Sequence, residues 1–170
     1  MKDAPLYFKS ISDLGPLIVG KKLSPVEITE AMLNRISETD SMFKAYATVM
    51  GDRAMEQARA AENAIARGNY IGPLHGVPVA VKDLCFTKDV RTMGGTKVLM
   101  EHIPDFDSTV VQNLYSAGAV ILGKLNLTEG TVRRRLKRIL DGDYVHVTVL
   151  MDAAKMGYVS EALVGVQVDP

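Results

Sequence analysis

Residues 77–85, VPVAVKDLC, set an ammonium group at the end of a short apolar run. The run Val77 to Val81 reads as a buried strand, preceded by the Gly/Pro/His turn GPLHG and ended abruptly by Lys82-Asp83. A lysine in that position has two uses. Most often its stem covers apolar surface while the head reaches water. At the carboxyl end of a parallel strand it instead faces the crevice where α/β sheets bind ligands, and there a neutral amine is a base. Bringing a lysine from about 10.4 to about 7 takes about 4–5 kcal/mol of differential interaction, from burial or nearby positive charge. The apolar strand behind Lys82 is the candidate source of that burial.

Three other features could carry chemistry. Cys85 with His75 as its base would make a thiol nucleophile, although a free cysteine is more often a small core residue. Thr96, after Gly94-Gly95, is more easily a turn residue than a nucleophile. His75, His102 and His146 have no metal-ligand spacing, so neither a metal nor a cofactor is expected. The third feature is electrostatic. Residues 131–140, TVRRRLKRIL, hold five bases and no acid, against 14 bases and 15 acids before them and one base and five acids after. In EGTVRRRLKRILDGD, Val132, Leu136, Ile139 and Leu140 share one helical face and Arg133, Arg134, Arg135, Lys137 and Arg138 the other. Such a face is either solvated or able to reach phosphates and base edges in a DNA groove.

The elements that must position these groups follow from local signals. In SPVEITEAMLNRI, Ser24 caps, Pro25 starts the helix and Glu27 completes a capping box. A second helix starts near Asp52, alanine-rich, with Gly68 as its terminator. Residues 91–107 read as loop with a helical turn near Lys97. DSTVVQNLYSAG is a third helix, capped by Asp107 or Ser108, and AVILG follows as a buried strand. Strand 77–82, helix 108–117 and strand 119–123 have the proportions of a βαβ crossover, so the fold class is α/β with helices packed on a partial parallel sheet. Beyond the basic helix, YVHVTVLM and EALVGVQV read as strands joined by DAAKMGY. The chain has 170 residues, 47% hydrophobic and 24% charged, no membrane-length apolar run and a single cysteine, which points to a cytoplasmic globular protein without a disulfide.

Residues 1–130 resemble the N-terminal part of an amidase signature family hydrolase. The words carrying the resemblance are LSPVEITEAMLNRI, GPLHGVPVAVKD, RTMGGT and DSTVVQNLYSAGAVILGKLNLTEG, in that order. The resemblance implies an amidase-type core, a small amide substrate and Lys82 as the base of a Ser–cis-Ser–Lys triad. It also implies a Gly/Ser-rich stretch bearing both serines, and none of Ser10, Ser12, Ser24, Ser37, Ser41, Ser108, Ser116 and Ser160 lies in such a stretch. The expectation is therefore an amidase unit with its base but without its nucleophile, of little or no turnover alone.

Residues 129–170 are similar to the Lrp/AsnC family of transcriptional regulators. That resemblance implies that TVRRRLKR is a helix-turn-helix recognition helix, with Arg133, Arg134, Arg135, Lys137 and Arg138 toward DNA, followed by two strands of an incomplete α+β domain. Lacking its preceding helix, it would retain weak, salt-sensitive, sequence-independent affinity. The two resemblances meet at Glu129-Gly130 and imply a chimera of a truncated domain, 1–130, and a fragment, 131–170. Strand edges left uncovered by truncation would be sites of self-association.

Overall fold

Why the first long helix begins where it does is explained by one side chain. In a computed structural model, which describes residues 5–127, the Ser24 hydroxyl accepts from the backbone N–H groups of Val26 and Glu27. The Glu27 carboxylate accepts in turn from the Ser24 N–H at 2.8 Å, and Pro25 occupies the first turn. This is the expected capping box, and it opens a helix over Pro25–Phe43 (α2). The Ser24 hydroxyl also donates to Glu62 on the next helix, so the cap doubles as a tie between helices.

An earlier helix, Ile11–Val19 (α1), is not legible in the sequence, because Gly15-Pro16 marks a turn in most contexts. A second capping box, between Ser10 and Asp13, starts it, and Leu14, Gly15 and Ile18 are buried along it. Strand β1, Tyr46–Val49, follows α2. The alanine-rich helix spans Gly51–Ala66 (α3) and buries Ala54, Ala58, Ala61 and Ile65, a single stripe at helical spacing. Gly68 ends it at φ 87°, a left-handed conformation that glycine adopts without steric cost. Strand β2 is Pro78–Lys82, helix α4 is Thr109–Ser116 and strand β3 is Val120–Leu125. A short 3₁₀ turn at Lys97–Leu99 supplies the expected turn in the connecting loop.

The three strands form one sheet in the order β1-β3-β2. β2 and β3 are parallel, as the βαβ reading requires, but β1 runs antiparallel to β3. The sheet is therefore mixed, which corrects the parallel sheet expected from sequence. Successive side chains of β3 serve opposite layers, as strand geometry demands. Val120 and Leu122 pack with Ala54 and Ala58, backed by Val26, Met32, Leu33 and Ile36 of α2. Ile121 packs on the other side with Val81, Val90 and Val111 of α4. Alanine lets α3 approach the sheet closely, while α4 presents larger residues.

Both neighbours of β3 show a break in register near its end. Val79 faces Ile121 but Val81 faces Lys124, so β3 carries one extra residue there. A bulge of this kind re-aims every side chain beyond it. In an unbulged strand Lys124 would share the side of Val120 and Leu122. Instead its amine meets the loop that leaves β2. Among the described residues no helix is long and apolar enough to cross a membrane, and the outer edges of β1 and β2 carry no partner strand. The expected recognition-type helix and the two strands after it lie outside the described residues.

Candidate active site

Lys82 is the last residue of β2 and pairs with Leu125, the last of β3, so two parallel strands deliver their carboxyl ends to one edge. This is the position where open α/β sheets place functional groups. The Lys82 side chain is exposed, and its Nζ donates to the Asn126 carbonyl at 3.3 Å. The apolar strand behind it does not bury the amine among the described residues.

The burial expected for Lys82 belongs to a different lysine. Lys124 is 0% exposed. Its Nζ donates to the Cys85 carbonyl at 2.7 Å and to the Thr92 hydroxyl at 2.6 Å. Asp83, 2% exposed, places its Oδ1 3.8 Å from the same amine, close enough for an ion pair and too long for a hydrogen bond. Burial pulls the Lys124 amine below its ordinary value, and the Asp83 charge opposes that shift.

The same loop is tied together by its backbone. The Asp83 N–H donates to the Leu125 carbonyl at 2.9 Å, and the Cys85 N–H to that of Lys82 at 2.9 Å. Asp83 Oδ2 accepts from the Met93 N–H at 3.0 Å, and its carbonyl from the Gly94 N–H at 2.9 Å. The Thr92 hydroxyl donates to the Val90 carbonyl at 3.1 Å, leaving a lone pair for the Lys124 ammonium. Sequence reasoning misses Lys124, Asp83 and Thr92 as members of the site. A signal for the first is present, since AVILGK ends an apolar run in a lysine just as VPVAVK does.

The remaining candidates fall elsewhere. His75, 5% exposed, uses Nδ1 to accept from the Ile71 N–H at 3.3 Å and stacks on Tyr70, while Cys85 packs against the Val81, Val90 and Ile121 cluster. Thr96 caps the 3₁₀ turn by accepting from the Val98 N–H at 3.2 Å, which fits a turn residue. Arg133, Arg134, Arg135, Lys137 and Arg138 lie outside the described residues.

The His75 environment has a pH consequence. Burial lowers its pKa from 6.5, so the unfolded chain takes up the proton first as pH falls. Folding stability should decline as pH drops from about 6.5 and level off once the folded-state value is passed. Thermal melts of the chain and of His75→Gln between neutral and acidic pH check this. The variant should show the shallower acid-side decline.

Comparison with known proteins agrees with this geometry. Residues 27–135 match the family model described as Amidase, a match that ends inside the basic segment. The chain is 48% identical over 120 residues to the amidase-family protein AmiD of Mycobacterium tuberculosis, covering 71% of this chain and 25% of that one. It is 44% identical over 124 residues to a glutamyl-tRNA(Gln) amidotransferase protein of Moorella thermoacetica, covering 73% and 26%. The peptide amidase of Stenotrophomonas maltophilia superposes with a TM-score of 0.69 at 32% identity, over 74% of this chain and 26% of that one. The chain thus spans about a quarter of the length of these relatives. With the family model covering well over half of its residues, this chain belongs to the amidase family.

Proposed function

We propose that this chain supplies the general base of an amide-hydrolysing site, and that the base is Lys82. The observation that carries the proposal is the position of Lys82 at the shared carboxyl edge of the parallel pair β2 and β3. In the reaction, Lys82 Nζ takes a proton from a bridging serine, which takes one from the nucleophilic serine. That oxygen attacks the amide carbonyl carbon, and the proton returns by the same route to the departing amine. Water then hydrolyses the acyl group. The substrate class is a small carboxamide, the bond named in common by the peptide amidase and amidotransferase relatives.

None of the described serines is placed to receive that proton relay. Ser10 and Ser24 cap helices, and the Ser108 hydroxyl donates to the Phe86 carbonyl at 3.1 Å. The 170-residue chain alone is therefore expected to turn amides over slowly or not at all. The test is a sensitive ammonia-release assay over a panel of simple amides, run beside Lys82→Ala. Equal, near-background rates are expected. Strong turnover by the chain that Lys82→Ala abolishes would show that it supplies its own nucleophile.

A further inference from the structure

The assignment of Lys82 as the base leaves unexplained why a second lysine is wholly buried beneath the loop that follows it. We propose that Lys124 is a positioning residue for Lys82, its ammonium fixing the loop on which the Lys82 amine depends. This rests on the reading of Lys82 as the base, because a lysine with no task at the strand end would need no such support.

The geometry is specific. The Lys124 amine gathers three groups from two parts of one loop: the Asp83 carboxylate and Cys85 carbonyl at its start, and the Thr92 hydroxyl near its return. Asp83 is the residue after Lys82, and the Cys85 N–H donates to the Lys82 carbonyl. The turn that begins at Lys82 is therefore closed by its own backbone and clamped from beneath by Lys124. Asp83 extends the clamp by accepting from Met93 and Gly94, so both ends of the loop converge on one buried charge.

A structural filler would not need this chemistry. An apolar side chain of equal volume would fill the same space without an ion pair, often at no loss of stability. What the ammonium adds is direction: a charged donor fixes its acceptors at hydrogen-bond distance, where a methyl group leaves them free to shift. Gly123 and the bulge are the backbone devices that turn Lys124 toward the loop. Three uncommon features in consecutive or facing positions thus serve one arrangement.

The test uses the full 170-residue chain, folded, in competitive acetylation by limiting acetic anhydride, read residue by residue by mass spectrometry. Lys9 and Lys22, outside the loop, are the internal references. Lys124→Met with Asp83→Asn removes the clamp without stranding a charge. The expected result is a several-fold rise in Lys82 labelling relative to Lys9 and Lys22, a displaced pH profile for Lys82 alone, and faster amide exchange at Met93 and Gly94. Thr92→Val, which keeps both charges, should move Lys82 labelling in the same direction by less, and it is read alone if the double variant does not fold. A cooperative melt with Lys82 labelling and its pH profile unchanged overturns the proposal. That outcome is distinct from a failure of the base assignment, which would appear as Lys82-independent amide turnover with the labelling shift intact.

Discussion

Lys124→Met alone is expected to cost about 3–5 kcal/mol of folding stability, the typical penalty for breaking a buried ion pair from one side. Methionine retains most of the volume of lysine, so the loss does not come from a cavity. It comes from Asp83, whose Oδ1 has no hydrogen-bond donor and would sit buried with no opposite charge beside it. The Met93 N–H on Oδ2 remains, and one neutral donor does not balance a desolvated carboxylate. The Cys85 carbonyl and Thr92 hydroxyl each lose their charged donor as well. Adding Asp83→Asn to Lys124→Met should recover much of the loss, since a neutral amide can still accept from Met93. Urea unfolding of the four chains in this cycle checks the claim. A single variant as stable as the parent would show that the pair is solvated in solution.

Gly123→Ala is the second large effect, and its cause is steric. A Cβ built on Gly123 would fall far inside contact distance of the Thr48 carbonyl oxygen and press on the Val49 Cα. Both are backbone atoms of the neighbouring strand. They cannot move cheaply, because Met50 N–H donates to the Leu122 carbonyl at 2.8 Å and Val49 pairs with Gly123 directly. Overpacking of this kind costs about 1–3 kcal/mol or more. Gly15→Ala is the matched control: nothing lies within 4 Å of its added Cβ, and in a helix the exchange should be neutral or stabilising by about 0.5–1 kcal/mol. Equal melting temperatures for the two variants would contradict the bulge as a tight feature.

The contrast between these glycines shows what sequence can and cannot convey. Periodicity and capping chemistry are local, so Ser24 with Glu27, the alanine stripe of α3, Gly68 and the β2-α4-β3 crossover are all legible in it. Helix α1 is hidden because Gly15-Pro16 imitates a turn, although Pro16 lies inside the helix. Strand β1 is four residues long and mostly half-buried, too short to show a period, and without it the sheet reads as parallel. The bulge in β3 is a one-residue offset between two strands, a relation that no single stretch of sequence records. Because the bulge decides which way Lys124 points, two lysines ending apolar runs are visible without any sign of which one is buried. The position of Lys82 at a strand end is legible; its exposure is not.

The buried clamp also bears on how the family's chemistry could be divided along a chain. Residues 5–127 carry the strand end, the loop and the second lysine together, and every hydrogen bond of the clamp is made within them. The base and its support thus form one unit, separable in principle from the segment that would bring the serines.

Treating the purified 170-residue chain with a fluorophosphonate that captures activated serines, then mapping the adducts by mass spectrometry, asks directly whether the Lys82 amine has a hydroxyl to serve. No serine should be modified above the level of the heat-unfolded chain, and Lys82→Ala should look the same. One serine labelled rapidly in the folded chain and spared in Lys82→Ala would contradict the account.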